Sequence, residues 1–362
     1  MRLPRRVLGQ DFRIDRRGLL LTAGGLGACA LAGLAPRVLA DTPQSTADEQ
    51  VHFFRIGTGP TSGNYFAIGG LIANAISNPP GSRPCERGGS CGVPGLIAIA
   101  QTTQGSVQNI DQIASHTVES ALCQSDIAFW AYSGTGMYKG KKAIDSLRAI
   151  ANLFGESLHI VVRADSKIES IVDLKGKRVS LGERGAGTRA TAALLLETFG
   201  LGTNKLVGQQ MRLPAAIESL RDGKIDALFA VGGAPIPAIA DLAGAIDLRL
   251  LPVEGARAEA LRRDYPFLTI DIIPADTYHN VPTAITVGIG TYWLVLADLD
   301  DALVYGVTQA LWHQSTRKLL DESSPMGRRI RIENALVGLP LPLHPGAARY
   351  YEGARQQPNR SQ

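Results

Sequence analysis

The stretch RIGTGPTSGNYFAIGGLIANA, residues 55–75, decides the fold of this chain. An apolar run at 51–56 predicts a strand, and a turn rich in Gly, Thr and Ser follows at 57–63. An Ala-rich segment with helical spacing then begins at Asn64. Glycines let the backbone turn tightly and approach a ligand closely. The free N–H groups at the helix start, together with the helix dipole, attract an anion, so this unit is suited to a small acid.

The turn does not match a dinucleotide-binding fingerprint. Gly57, Gly59 and Gly63 lack the spacing of G-x-G-x-x-G, because Ser62 stands where a glycine would be needed. Taken alone, the turn is interpreted equally well as a tight strand-to-helix connection without a ligand.

A second unit of the same kind lies about 130 residues further along the chain. A turn and a strand are predicted over 173–182, the segment ERGAGTR follows at 183–189, and the Ala-rich segment 190–199 has helical character. Two such helix starts in separate halves predict two lobes that face one ligand. Coincidence of two ordinary turns is the alternative.

The remaining segments alternate between strand and helix patterns. Strands are predicted at 95–100, 120–123, 147–154, 159–162, 225–231, 246–252 and within 283–296, and helical spacing occurs at 107–116, 214–222 and 299–320. Strands that alternate with helices predict a parallel sheet with right-handed crossovers.

The composition is that of a globular chain with a basic leader. The chain has 362 residues, enough for about two domains, with 45% hydrophobic and 19% charged residues. Residues 1–40 hold 7 of the 37 basic and 2 of the 33 acidic residues, which leaves 30 against 31. A near-neutral remainder gives no indication of nucleic acid or an anionic membrane surface as a partner.

Residues 1–40 are predicted to be a cleaved export signal. Arginines precede a mildly apolar run at 18–35, and small residues lead to Ala40. The pair at 16–17 resembles the twin-arginine kind, with the general secretory route as the alternative. A lipoprotein cut at Cys29 is disfavoured because apolar residues continue past it. We therefore expect cleavage after Ala40 and a periplasmic mature chain.

The mature chain keeps three cysteines. Cys85 and Cys91 lie in a loop rich in Gly, Pro and Arg, and in an oxidising compartment we expect them to pair. Cys123 lies in an apolar stretch and is expected to be a buried thiol. A metal site from the three would need His116 as a further ligand, and we expect none.

Two polar turns follow predicted strands. Ser106 is predicted to cap the helix at 107–116, and Asp126 lies near the start of the next predicted helix. Polar residues at the ends of buried strands are where open α/β sheets bind ligands. Plain helix capping is the alternative for both residues.

With these segments in order, the chain resembles the TAXI-type solute receptors of tripartite ATP-independent periplasmic (TRAP) transporters. The resemblance rests on short segments spread over the whole mature chain. They are IGTG (56–59), GNYF (63–66), TQGSVQN (103–109), QSD (124–126), DLKGKRV (173–179), GAGTR (185–189), DGKIDA (222–227), GAP (233–235) and HPGA (344–347). Pro60 and Gln104 stand where the family usually has glycine, and the loop around Cys85 looks like an insertion.

The resemblance implies an α/β fold of the two-lobed periplasmic-binding-protein type, type II-like, in which two hinge crossings join the lobes. Residues 41–160 and 280–362 would form lobe 1, and 161–279 lobe 2. It also implies a small carboxylate ligand such as glutamate, integral-membrane TRAP transporter subunits as partners, and no cofactor.

The expected ligand-binding residues come from both lobes. They would donate hydrogen bonds to carboxylate oxygens, pack on the ligand or offer backbone N–H groups. The set is Thr58, Thr61, Tyr65, Ser106, Asn109, Gln124, Asp126, Gly185, Gly187, Thr188, Ala234 and Pro235. Asp126 is expected to accept from an ammonium group, which would favour an amino acid. Arg189 is the nearest candidate for a carboxylate partner and is interpreted as a surface or packing residue.

The favoured function is an extracytoplasmic solute receptor that captures a small organic acid by lobe closure and delivers it to a TRAP-type transporter. A binding module that feeds a sensor or scavenges a ligand is the alternative, because both use the same closing fold. An enzyme is less favoured, since the sequence holds no G-x-S-x-G, H-E-x-x-H or Walker pattern.

Overall fold

The computed structural model describes residues 51–265 and 267–355. The predicted export signal, with its twin-arginine pair and the cut sites at Cys29 and Ala40, lies outside the described residues and stays a prediction. Within the described ranges, no helix has both the length and the apolar character needed to cross a bilayer.

The described residues form strands and helices in alternation over most of their length. The strands are β1 (His52–Gly57), β2 (Ser77–Asn78), β3 (Val93–Pro94), β4 (Leu96–Gln101), β5 (Ser120–Gln124), β6 (Leu147–Arg163), β7 (Arg178–Ser180), β8 (Val207–Gln209), β9 (Ala227–Gly232), β10 (Leu248–Leu250), β11 (Leu268–Ile273) and β12 (Ala284–Leu296). The helices are α1 (Asn64–Ile76), α2 (Ser106–Ala114), α3 (Ser125–Ser133), α4 (Gly187–Thr198), α5 (Leu213–Arg221), α6 (Pro237–Ala245), α7 (Gly255–Asp264), α8 (Asp301–Leu311), α9 (Gln314–Ser323) and α10 (Pro345–Arg355).

The opening strand–turn–helix unit has the predicted form. β1 ends at Gly57 and α1 begins at Asn64. The buried side of α1 includes Ile68, Ile72 and Ile76, which recur every four residues and face the core. Gly69 is needed here, because a Cβ at this position would lie 2.3 Å from Cγ2 of Thr58. The helix can therefore pack directly on the turn that precedes it.

The main sheet is mixed, so the prediction of a parallel sheet is right only for parts of it. Its strand order is β4-β1-β5-β12-β6-β9-β7-β8. β1 pairs in parallel with β4 and β5, and β7 pairs in parallel with β8 and β9. β6 and β12 run antiparallel to each other and to their other neighbours. The difference arises because these two strands carry the chain out of one half of the sheet and back into it.

β6 is a single strand of 17 residues, whereas the sequence pattern predicted two strands at 147–154 and 159–162. The residues between them, Gly155, Glu156 and Ser157, have the composition of a turn. In the structure they continue the strand, and Glu156 and Ser157 are buried. Polar residues were mistaken for a break because their burial depends on segments far away in the sequence.

Two groups of apolar cores lie on either side of the β6–β12 pair. One includes Phe54 and Ile68 with α8 and α10, and the other includes Leu158, Ile160 and α4. The two-lobed α/β fold expected from the sequence is thus confirmed, and β6 and β12 are the two crossings. The division at 160/161 and 279/280 stays a prediction, and Leu158 and Ile160 already contribute to the second core.

Two helix predictions need correction. The helical pattern at 299–320 is broken into α8 and α9, because Nδ1 of His313 accepts a hydrogen bond from N–H of Ser315 and caps a new helix. Ser106 is the first residue of α2 and does not cap it; Gly105 precedes the helix without a side-chain cap.

The predicted disulfide and the predicted buried thiol are confirmed. Cys85 and Cys91 form a disulfide with their Cα atoms 4.7 Å apart. Cys123 is free and fully buried.

Candidate functional site

A cavity of about 130 Å³ lies where the starts of five helices meet. The first turns of α1 and α2 reach it from one lobe, and those of α4, α5 and α6 reach it from the other. The residues of these helix starts that line the cavity are Gly63, Asn64, Tyr65, Gly105, Ser106, Ala186, Gly187, Thr188, Leu213, Ala216 and Ile236. None of these five starts has a side-chain cap among the described residues. The amides of Val107 and Gln108 in α2 donate to the carbonyl of Gly185, and α5 and α6 each have a proline without an N–H in their first turn. Free N–H groups are therefore offered mainly by α1 and α4, and together with the positive ends of the helix dipoles they favour negative charge in the cavity.

Both Gly-rich turns singled out in the sequence line this cavity. The first contributes Gly59, Pro60 and Ser62, and the second contributes Gly182 and Glu183, besides the helix starts themselves. The two strand–turn–helix units therefore face each other across one space.

Five of the predicted binding residues line the cavity. They are Tyr65, Ser106, Gln124, Gly187 and Thr188. Ser106 Oγ accepts from N–H of Gln124 at 3.1 Å, and Thr188 Oγ1 accepts from N–H of Val231 at 3.2 Å. Both hydroxyls keep a proton that they can donate into the cavity.

Thr58 and Asn109 lie behind the cavity wall. Oγ1 of Thr58 donates to the carbonyl of Gln101 at 2.7 Å. Nδ2 of Asn109 donates to the carbonyls of Thr58 and Leu122 at 2.6 and 2.7 Å. Both residues are fully buried, so their polar groups hold the turn in shape. Thr61 also does not line the cavity, and it is exposed.

Asp126 lies outside the cavity lining and connects the two lobes. Its Oδ2 accepts from Oγ1 of Thr191 on α4 at 2.7 Å, and its Oδ1 accepts from N–H of Ile127. Burial raises the pKa of Asp126 to about 6. The carboxyl group expected to receive a ligand ammonium is thus engaged with the other lobe.

Gly185, Ala234 and Pro235 also lie outside the lining, although their segments touch the opposite lobe. The carbonyl of Gly185 accepts from N–H of Val107 at 3.1 Å and from N–H of Gln108 at 3.2 Å, at the start of α2. Gly185 has φ +88°, a conformation that glycine adopts without strain. The carbonyl of Ala234 accepts from Nη2 of Arg329 at 3.2 Å, and Pro235 is exposed.

Glu156 is a cavity residue that the sequence interpretation missed. It lies on β6, is 3% exposed, and its Oε2 accepts from the hydroxyl of Tyr65 at 2.7 Å. Burial raises the pKa of Glu156 to about 7. An acidic residue inside an otherwise apolar run was a usable signal, because a buried carboxyl group needs a partner or a function.

Basic side chains are absent from the cavity lining that the structure describes. The charged residues of the lining are Glu156 and Glu183. Glu183 pairs with Arg212 at 3.1 Å, and the Arg212 side chain is 70% exposed. A carboxylate ligand would therefore depend on helix starts for its stabilisation, since no Arg, Lys or His side chain of the described lining can pair with it.

Gln124 is held against the start of α4. It is 3% exposed, and its Oε1 is buried with no hydrogen-bond partner among the described residues. A Cβ at position 187 would lie 1.4 Å from this Oε1, so only glycine leaves room for it. An acceptor that is buried and unpaired at a cavity wall points to a donor on a ligand.

The second lobe gives the cavity an apolar wall. It consists of Met211, Leu213, Ala216, Phe229 and Ile236. Ile236 is positioned by a chain of hydrogen bonds, since its N–H donates to the hydroxyl of Tyr278, which contacts Nε2 of His159 at 2.9 Å. Nδ1 of His159 lies 2.9 Å from the carbonyl of Ser157. Nδ1 thus donates, and Nε2 accepts from Tyr278.

Several solved structures with a similar overall architecture are described as periplasmic binding proteins. One is the binding protein BugD, with 12% identity, a TM-score of 0.49, and coverage of 84% of this chain and 94% of that one. Another is PhnD1 from Prochlorococcus marinus in complex with methylphosphonate, with 12% identity, a TM-score of 0.47, and coverage of 84% and 98%. A third is the aliphatic sulphonate binding protein SsuA from Escherichia coli, with 15% identity, a TM-score of 0.39, and coverage of 83% and 78%. Likenesses at this level concern the architecture and not the ligand.

The family is shown by the sequence itself. The model of the NMT1-like family matches residues 56–354, from the end of β1 to the last helix. The chain belongs to the NMT1-like family.

Proposed function

We propose that this protein is an extracytoplasmic solute receptor that closes two lobes around a small organic acid and delivers it to a membrane transporter. The observation that carries the proposal is the cavity between the lobes, where uncapped helix starts from both lobes meet. A small oxyanion is the ligand that such an arrangement stabilises best.

Closure is supported by hydrogen bonds from lobe to lobe around the cavity. Nδ2 of Asn64 donates to the carbonyl of Gly233 at 3.2 Å. The α2 amides donate to Gly185, and Thr191 donates to Asp126. These contacts form only when the lobes are together. A ligand held by both lobes binds the closed form better than the open form, and it therefore shifts the population towards closure.

A TRAP-type transporter is the partner that we propose, on the strength of segments such as GNYF and GAGTR that resemble those of TAXI-type receptors. Uptake of labelled ligand into vesicles that hold TRAP membrane subunits, with and without this receptor, tests the partner. Receptor-dependent uptake through an ATP-driven permease, and none through TRAP subunits, would contradict it.

Thermal unfolding of residues 41–362 against a panel of amino acids, dicarboxylates, monocarboxylates and sulfonates tests the receptor function. A ligand at about a hundred times its Kd stabilises a protein by roughly 2.7 kcal/mol. We expect one class of acid to produce such a shift. If no member of the panel raises the Tm of the folded protein, the proposal of a small-acid receptor is wrong.

The variant Gly187→Ala links that shift to the cavity. The added methyl group collides with Gln124 Oε1, so it either displaces this side chain into the cavity or holds the lobes apart. We expect at least a tenfold loss of affinity, which is about 1.4 kcal/mol. The matched control is Gly244→Ala in α6, where a Cβ has no heavy atom within 4 Å. It should keep the affinity and gain stability, because alanine is the better helix former.

A further inference from the structure

The carboxyl group of Glu156 lines the cavity and can accept more hydrogen bonds than Tyr65 alone supplies. Its Oε2 accepts from the hydroxyl of Tyr65 at 2.7 Å, and Thr291 is the second side chain that donates to the carboxyl group. Two oxygens of a carboxylate have about four acceptor positions. An ionised carboxyl group in a closed cavity is costly unless donors or a cation pair with it. A ligand that brings a cationic donor removes this cost.

Gln124 provides an independent second acceptor in the same cavity. Its Oε1 is buried and unpaired, and the absence of a side chain at Gly187 leaves the space it occupies. An ionised Glu156 presents only lone pairs, whereas the amide of Gln124 has an oxygen that accepts and an NH2 group that donates. The part of the ligand that meets Glu156 must therefore carry hydrogens on nitrogen or oxygen.

The other parts of the cavity favour other chemical groups on the ligand. The helix starts favour one carboxylate, and the wall around Phe229 and Ile236 favours apolar atoms. A second carboxylate on the ligand would lie near Glu156 and Glu183, with no basic side chain of the described lining free to offset it. Arg212 forms an ion pair with Glu183.

We infer that the ligand is a zwitterionic amino acid with an apolar side chain, and that Glu156 selects it by accepting from its ammonium group. This inference rests on the proposed receptor function and narrows its ligand class. The carboxylate lies at the helix starts, the ammonium group at Glu156 and Gln124, and the side chain against the apolar wall. Glutamate, the ligand suggested by the resemblance to TAXI-type receptors, is disfavoured because its side-chain carboxylate has no basic partner.

Matched ligand pairs test the inference on the unmodified protein. The pairs are L-leucine with 4-methylpentanoate, L-valine with 3-methylbutanoate, and L-phenylalanine with 3-phenylpropanoate, and each pair differs in the ammonium group. L-glutamate and succinate represent the dicarboxylates. Calorimetric titration of residues 41–362 should show binding of at least one neutral amino acid, at least tenfold tighter than its deaminated partner and than both dicarboxylates.

The variant Glu156→Gln assigns the selection to this residue. It keeps the size of the side chain and removes the negative charge, so the preference for the amino acid over its deaminated partner should fall at least tenfold. Glu259→Gln, on the exposed side of α7, should leave the preference unchanged. Circular dichroism checks that both variants are folded. If Glu156→Gln is unfolded, the inference is tested by the ligand pairs on the unmodified protein alone.

The outcomes separate this inference from the proposed function. Tight binding of a dicarboxylate, or equal binding of both members of every pair, would overturn the inference and leave the small-acid receptor standing. Binding of none of the amino acids, monocarboxylates, dicarboxylates or sulfonates would overturn both.

Discussion

Glu156 shows how a single buried residue couples the stability of this protein to pH. Burial raises the pKa of its carboxyl group to about 7, against roughly 4.3 in an unfolded chain. The folded protein therefore binds this proton more tightly than the unfolded chain does. As the pH rises from about 4.5 to about 7, this group lowers the free energy of unfolding. Asp126, with a pKa raised to about 6, acts in the same direction.

His159 acts in the opposite direction. Burial lowers the pKa of its ring to about 4, so the unfolded chain binds the proton more tightly. Its contribution to the free energy of unfolding is fully present above about pH 6.5 and is lost as the pH falls towards 4. Below pH 6.5 the free energy of unfolding of the wild type therefore includes opposing effects from these groups. A variant is needed to measure the effect of Glu156 alone.

Urea unfolding of wild type and Glu156→Gln at pH 5, 6, 7 and 8 isolates this contribution. Relative to the variant, we expect the wild type to lose roughly 2 kcal/mol of unfolding free energy between pH 5 and pH 8. Glu259→Gln, an exposed substitution, should follow the wild type throughout. Parallel curves for wild type and Glu156→Gln would show that Glu156 does not titrate in this range.

At the scale of elements, the contact of α3 with α4 joins the lobes. Asp126 near the start of α3 accepts from Thr191 on α4, and both residues are buried. Aromatic rings extend this contact, since Phe129 and Trp130 of α3 lie 5.3 and 5.9 Å from the ring of Phe267. The hydrogen bond is the one polar element of this contact that a nearly isosteric substitution can remove.

Thr191→Val should destabilise the protein by about 1–3 kcal/mol, because it leaves the buried Oδ2 of Asp126 without its donor. Thr198→Val on the same helix is the control. Its hydroxyl donates to the carbonyl of Leu194 within α4, so its loss should cost about 0.5 kcal/mol or less. Urea unfolding at pH 7.5 compares the two variants. Equal losses would mean that the contact between the lobes adds nothing to stability.

At the scale of the whole molecule, β6 and β12 are the continuous connections about which the lobes can move. They pair with each other over Leu147–Ser157 and Gly288–Leu296, with register shifts near Thr291 and Trp293. The inter-lobe contacts at the cavity edge are hydrogen bonds, and the two apolar cores around Phe54 and Leu158 are separate from them. The aromatic contact of α3 with Phe267 also joins the lobes, so opening must turn about this contact or break it. Hinge motion around ligands is a common movement of this architecture.

Small-angle scattering of residues 41–362 tests this movement. We expect the radius of gyration to fall when a saturating ligand is added, because the ligand favours the closed form. An acid that causes no thermal shift should leave the radius unchanged. An unchanged radius with a ligand that does bind would show that the free protein is already closed.

The sequence by itself determined the elements whose signals are local. The β1–α1 unit, the start of α4 and the Cys85–Cys91 disulfide each depend on residues within a few positions of one another. Periodicity and turn residues act at that range, because they reflect backbone geometry within one element. Membership of the NMT1-like family also follows from the sequence, over residues 56–354, whereas the TAXI-type assignment made from short segments stays a proposal.

Only the tertiary structure decided which polar groups face the cavity and which hold the backbone. Thr58 and Asn109 have the right chemistry for a ligand, yet they donate to the carbonyls of Gln101 on β4 and Leu122 on β5. Glu156 reaches the cavity because β6 runs unbroken to meet Tyr65, a residue 91 positions away in sequence. The direction of a side chain and its burial depend on such distant partners. A local pattern contains no information about them.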